Sequence, residues 1–269
     1  MKNILLTIAY DGTGFAGWQR QPKQRTAQGV LEKALSEVCR TEIKINGTSR
    51  TDAGVHAYGQ RANFQADFGI PVDKLQYAVN NYLSKEVAVI GGISDMKVIQ
   101  VEEVPPNFHA RFDAKAKTYL YKIRNAQNTD VFDRNFCYQI RRPLNVNAME
   151  KAAERIVGTH DFKCFQAQGG KIIDNTVRTI MNLQIYRDIM EERADFTDQI
   201  LTIEVTGDGF LYNMVRIIVG TLVDIGTGKI SHKKIDEIIK SKERQKAGHT
   251  APPQGLYLTE VFYERKGAL

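Results

Sequence analysis

Strand-type and helix-type patterns alternate along almost the whole chain, and that alternation limits the fold more than any other feature. Asn3 to Tyr10 is rich in Ile and Leu and stops at Asp11-Gly12, which reads as a strand followed by a turn. Thr26 to Arg40 places Val30, Leu31, Ala34, Leu35 and Val38 on one helical face. Ile43 to Gly47 and Ala57 to Phe64 are strand candidates, and Pro71 opens a helix with Leu75, Ala78, Val79 and Tyr82 inward. Glu86 to Val104 reads as a strand pair closed by Pro105-Pro106. The alternation then resumes. Lys115 to Arg124 sets Tyr119, Tyr121 and Ile123 on one face and Thr118, Leu120 and Lys122 on the other. Asn147 to Gly158 is an amphipathic helix, and Val177 to Arg187 and Ile200 to Thr206 are strands around an acidic tip. Phe210 to Ile225 and Ile235 to Lys240 are helical in pattern, and Gly255 to Tyr263 is a last strand. The expected class is α/β (α+β), with two mixed domains spanning residues 1–105 and 106–269.

Composition removes several alternatives. With 269 residues, 42% hydrophobic and 25% charged, the chain can bury a substantial core. Arg216, Asp224 and similar charges interrupt every apolar stretch before it reaches the ~20 residues of a membrane span. The opening apolar run follows a single Lys2 and lacks a small-residue cleavage site, so it reads as a strand and not a signal peptide. A cytoplasmic protein without membrane attachment is the expectation. Cys39, Cys137 and Cys164 are far apart and the five histidines are dispersed, so no metal site is expected. The net charge is +6. Its placement says more: WQRQPKQR (Trp18 to Arg25), Lys115 to Arg124, Arg141-Arg142 and Lys240 to Lys246 gather cations, whereas Asp188, Glu191, Glu192, Asp195 and Asp198 gather at the acidic tip. Nucleic acid is the first partner this suggests.

Gly12-Thr13-Gly14-Phe15-Ala16-Gly17 follows a strand and formally matches a dinucleotide fingerprint. Such a site needs a helix to open on the glycines. Here WQRQPKQR, with Pro22 inside it, intervenes before the helical pattern at Thr26. The glycines are expected instead to shape a loop presenting Trp18 and its cations. Gly226-Thr227-Gly228-Lys229 fails as a P-loop, because Val223 stands where its first glycine belongs and Ile230 follows the lysine. In Thr48 to Ala57, the spacing of Asp52 and Gly54 marks a turn, and Arg50 and His56 crowd it with ionisable groups. One aspartate is not a mechanism, and the spacing alone goes no further.

RTDAGVHA followed by Gly59-Gln60, the opening YDGTGFAGWQRQ, FHARF (Phe108 to Phe112), MVRIIVG (Met214 to Gly220) and GLYL (Gly255 to Leu258) together resemble the TruA family of tRNA pseudouridine synthases. They stand in the family's order over nearly the whole chain. Ser49 departs from the family's usual glycine and raises the question of how closely the backbone there can approach RNA. The resemblance implies the pseudouridine synthase fold, with antiparallel sheets and flanking helices around a central basic cleft. It implies uridine-to-pseudouridine isomerisation in the anticodon stem-loop of tRNA at positions 38, 39 and 40, without a cofactor or metal, by a homodimer. It implies that Asp52 is the catalytic carboxylate, Arg216 its ion-pair partner, Arg50 the residue filling the place of the flipped base, Tyr119 the aromatic under that base and Leu256 the apolar residue packed against it. Arg20, Lys23, Arg25, Arg111, Arg141 and Arg142 are candidate phosphate contacts on charge alone. Competing readings are a family paralogue acting on ribosomal RNA or another tRNA position, a catalytically silent RNA-binding protein and, more distantly, a dinucleotide oxidoreductase.

Overall fold

A computed structural model describes residues 1–86, 89–90, 93–169, 174–192 and 197–264. The chain forms two compact units: Met1–Lys115 with Tyr257–Leu269, and Ala116–Leu256.

In the first unit β1 (Lys2–Tyr10) is followed by α1 (Ala27–Cys39), β2 (Asn46–Gly47), β3 (His56–Ala66), α2 (Val72–Glu86), the short pair β4 (Val89–Ile90) and β5 (Ile93–Ser94), and β6 (Met96–Val104). β1 lies between β6 and β3 and is antiparallel to both. Its Ile4, Leu6, Ile8 and Tyr10 are buried, as are Leu31 and Leu35 of α1 and Leu75, Val79 and Leu83 of α2. Thr26 caps α1 by accepting from the Gly29 amide, and Arg40 ends it in the left-handed region at φ 54°. Of the strand expected over Ile43 to Gly47, only the last two residues are strand. Ile43 and Ile45 are buried, but their amides donate to Ser36 Oγ and Glu32 Oε1 of α1.

Ile8 of β1 stands opposite Gln60 and Tyr10 opposite Ala57, so β3 carries an extra residue and the pairing bulges there. The bulge reverses the alternation of β3. Ala57 and Gln60 share the face of Tyr10 and Ile8, and His56 and Tyr58 take the other.

Pro105-Pro106 closes β6, yet the first unit continues to Lys115. Asn3 Nδ2 donates to the carbonyls of Pro105 and Phe108, and Asn63 Oδ1 accepts from the Ala110 amide. Two buried asparagines on β1 and β3 thus tether the segment that the prolines seemed to release.

The second unit contains β7 (Ala116–Asn125), β8 (Tyr138–Ile140), α3 (Val146–Ile156), β9 (Gly158–Asp161), β10 (Val177–Glu192), β11 (Thr197–Gly207), α4 (Met214–Gly226) and α5 (Ile235–Ser241). Its sheet runs β7-β11-β10-β9, antiparallel throughout, with β8 added parallel to β7. Tyr119, Tyr121 and Ile123 share the buried face of β7, as their spacing predicts. β10 and β11 outrun the expected strands. Asp188, Glu191 and Glu192 are strand residues of β10 and Asp198 belongs to β11, whereas Asp195 lies outside the described residues. Charges are tolerated along this stretch because β9 covers β10 only from Val177 to Ile180. α4 starts at Met214 and not at Phe210, because Asn213 sits in the left-handed region at φ 58°. The last strand, β12 (Leu256–Phe262), pairs parallel with β3 of the first unit through Tyr257 and Leu258. The β3–β12 and β7–β8 pairs are thus parallel, whereas the pairs within β6-β1-β3 and β7-β11-β10-β9 are antiparallel. Among the described residues no helix is long and apolar enough to cross a membrane.

Candidate active site

Asp52 is half-buried in the loop joining β2 to β3. Neutral groups hold the loop before, at and after its centre. Before Arg50, the fully buried Gln60 donates from Nε2 to the Ser49 carbonyl (2.7 Å) and accepts from the Ser49 amide (3.3 Å). At the centre, the Trp18 amide donates to the Thr51 carbonyl (3.0 Å), and the Tyr10 hydroxyl lies 2.7 Å from Thr51 Oγ1. After Asp52, the Val55 amide donates to the Asp52 carbonyl (3.1 Å), closing a turn whose third residue, Gly54, has φ +78°.

The glycine run of the opening segment explains how the loop can be approached so closely. A Cβ on Gly12 would stand 2.1 Å from the Val55 carbonyl oxygen, and one on Gly17, at φ +90°, 2.8 Å from that of Thr51. The first and last glycines of the G-x-G-x-x-G pattern thus make a backbone-to-backbone contact against the Asp52 loop. The Gly12 amide donates to His56 Nδ1 (3.0 Å), which makes that nitrogen an acceptor; Asp11 Oδ1 is 3.2 Å from the same atom. Trp18 is not presented to a ligand, contrary to expectation. It is buried, its ring stacks with Tyr10 at 6.0 Å and 29°, and a Cβ on Gly47 would come within 2.3 Å of its Nε1. Ser49 is buried too, so its added Cβ lies inside the protein, with Oγ lacking a hydrogen-bond partner among the described residues. Arg50 is exposed.

Tyr119, Arg216 and Leu256 belong to the second unit. Tyr119 is 8% exposed and meets Phe210 edge-to-face, with centroids 5.1 Å apart. Leu256 is buried at the head of β12. Arg216 projects half-buried from the first turn of α4, with the Ala251 carbonyl 2.8 Å from Nε and Asn213 Oδ1 2.9 Å from Nη1 helping to orient it. Asn213 thus stops the helix and aims the arginine. Tyr121 donates to the Pro252 carbonyl (2.7 Å), and burial pushes its phenol well above the ordinary range.

Sequence reasoning missed Asp224, on the same helix. Its carboxylate accepts from the His249 amide (3.1 Å), His249 Nδ1 (3.0 Å) and Lys229 Nζ (3.0 Å). Burial alone would raise its pKa, but the His249 and Lys229 hydrogen bonds outweigh it and hold the carboxyl below its usual value. The available signal was an aspartate inside the apolar run Ile217 to Ile225. Beside it, Gly220 and Gly248 permit close approach: a Cβ on Gly220 would lie 1.8 Å from the His249 oxygen, and one on Gly248 2.6 Å from Thr221 Cα.

The candidate phosphate contacts divide. Arg25 forms a two-pronged ion pair with Asp95 (2.7 and 2.9 Å) and lies 4.2 Å from the Phe15 ring centroid, which gives it a structural task. Arg20 pairs with the buried Glu32 (2.9 Å). Lys23, Arg111, Arg141 and Arg142 are exposed.

The sequence pattern of the tRNA pseudouridine synthase family matches residues 6–113 and 152–264, and the chain belongs to that family. It is 46% identical over 263 residues to tRNA pseudouridine synthase A of Ruminiclostridium cellulolyticum, covering 98% of this chain and 100% of that one. It is 45% identical, with the same coverage, to the protein of that name from Thermoanaerobacter sp.. A protein of Geobacillus sp. with the same name is 44% identical over 266 residues, covering 98% of this chain and 99% of its own.

Proposed function

We propose that this protein isomerises uridine to pseudouridine in the anticodon stem-loop of tRNA, at positions 38, 39 and 40, with Asp52 as the catalytic carboxylate. The observation that carries the reading is the Asp52 loop: a family-matching RTDAGVHA segment whose anchoring draws on backbone atoms and neutral side chains. In the reaction the N1–C1′ bond breaks, the uracil turns, and C5 joins C1′. The C5 hydrogen leaves as a proton and N1 gains one, so nothing is oxidised and no group is donated. The Asp52 carboxylate either attacks covalently or stabilises the cationic sugar. Arg216 is the ion-pair partner in this reading, supported by the way Ala251 and Asn213 fix its guanidinium. Arg50 takes the place left by the flipped uridine, and Tyr119 and Leu256 contact the uracil. Exposed Lys23, Arg111, Arg141 and Arg142 supply phosphate contacts.

The protein acts in the cytoplasm, as a homodimer. The edge of β10 supports the dimer: beyond Ile180 its neighbour β9 no longer covers it, and Tyr186, Ile189 and Met190 are exposed there. Sedimentation of wild type and Ile189→Glu tests this, with a dimer expected for the first and a monomer for the second.

Release of tritium from unmodified tRNA carrying [5-³H]uridine tests the reaction, because joining C5 to C1′ must expel the C5 hydrogen. Release is expected, and it should vanish when uridines 38, 39 and 40 are all replaced by cytidine. Undiminished release from the replaced tRNA would move the target elsewhere, and none from any tRNA would overturn the reading.

A further inference from the structure

We infer that Tyr58 is a stacking platform for an unpaired base of the RNA other than the uridine that reacts. The inference rests on the reading of the substrate as tRNA.

Three rings form one column in the first unit. His56 stacks on Tyr257 at 4.7 Å with planes 20° apart, and Tyr257 stacks on Tyr58 at 5.0 Å with planes 10° apart. The two inner rings are buried, whereas Tyr58 is 48% exposed. The column is rigid from its base upward. His56 Nδ1 is fixed by the Gly12 amide, and Tyr257 is set against His56 by the parallel β3–β12 register. Gly59 lets the two strands close up, since a Cβ there would stand 2.2 Å from the Thr259 carbonyl oxygen. Tyr58, the exposed ring of the three, therefore has little orientational freedom left to lose when a base lands on it.

The reaction creates a need for such a ring. Taking a uridine out of the helical stack strips its neighbours of a stacking partner, and an aromatic side chain can replace that partner whatever the base. Tyr58 lies six positions after Asp52, a reach of at most about 20 Å of extended chain. The base on Tyr58 is therefore one close along the strand from the reacting uridine. The bulge in β3 puts Tyr58 on the sheet face away from Tyr10 and its neighbours, with His56.

The test compares Tyr58→Leu, Tyr58→Phe and Tyr58→Trp with wild type on tRNA transcripts, reading KM and kcat by tritium release. Tyr58→Leu is expected to raise KM about tenfold, with kcat nearly unchanged, while the Phe and Trp variants stay near wild type. Trp18 is the protein's one tryptophan and is buried, so fluorescence of the Tyr58→Trp variant reports on the new ring. Saturating tRNA should quench that fluorescence and leave the wild-type signal largely unaltered. An unchanged KM in Tyr58→Leu overturns the proposal. So does an equal loss in Tyr58→Phe, which would assign the effect to the hydroxyl, and so does a fall in kcat accompanied by a lower melting temperature, which would make the column merely structural. If wild type releases no tritium, the functional reading fails by itself, and the quenching measurement still decides whether Tyr58 meets RNA.

Discussion

Asp52 and Asp224 are set by the same backbone device and used in opposite ways. Each lies where glycines let two segments approach without a Cβ between them: Gly12 and Gly17 against the Asp52 loop, Gly220 and Gly248 between α4 and residues 247–251. Around Asp52, neutral groups anchor the loop: Gln60, Tyr10, Thr51 and the Trp18 amide. Around Asp224 the carboxylate is itself the anchor, receiving three donors from His249 and Lys229. A single sequence does not separate the two, because both are isolated acids near glycine.

The comparison breaks most sharply at Gly12. Gly12→Val pushes side-chain atoms into the Val55 carbonyl and displaces the Asp52 loop, and kcat should fall about a hundredfold, with stability lowered by about 2 kcal/mol. Steady-state kinetics and urea unfolding read the two effects. Asp224→Asn should do the reverse, with about 2 kcal/mol of stability lost and kcat at 25 °C within about threefold of wild type. The folded Asp224 carboxyl has a lowered pKa, so its contribution is complete above the unfolded value of about 4 and disappears as the pH falls through the folded one. Unfolding free energies from pH 7 down to pH 3 should therefore converge between wild type and Asp224→Asn; a constant gap would contradict the assignment. The smallest effects distinguish the cations. Arg141→Ala and Arg142→Ala should each lower the salt dependence of tRNA binding by about one unit of slope. Arg25→Ala should leave that slope unchanged and cost roughly 1 kcal/mol of stability, because Asp95 already holds the guanidinium.

Much of the fold was legible because periodicity reports burial. α1, β1 and β7 stand within about two residues of their expected bounds, and α2 starts one residue after the expected Pro71, since each has a clean apolar face. What failed had a local cause. Trp18, among cations, reads as a presented aromatic but is consumed by Tyr10 and Gly47. The acids of β10 and β11 read as a turn because an uncovered edge tolerates charge. The prolines at 105–106 suggest a boundary, and hydrogen bonds to the following segment, those of Asn3 and Asn63 among them, show the first unit running on. The glycines of the opening segment were visible as a pattern, but their task depends on a loop about forty residues away. Asp52 itself was legible as a candidate by resemblance; its spacing marked no more than a turn.

Asp52→Asn and Asp224→Asn, assayed together for tritium release and for tRNA affinity, test the central claim directly. With Asp52→Asn, affinity should stay near wild type while release falls at least about a thousandfold. Asp224→Asn should bind and turn over tRNA nearly as wild type wherever it is folded. Substantial release by Asp52→Asn would contradict the assignment of the carboxylate, and equal collapse of both variants would dissolve the distinction drawn between the two aspartates.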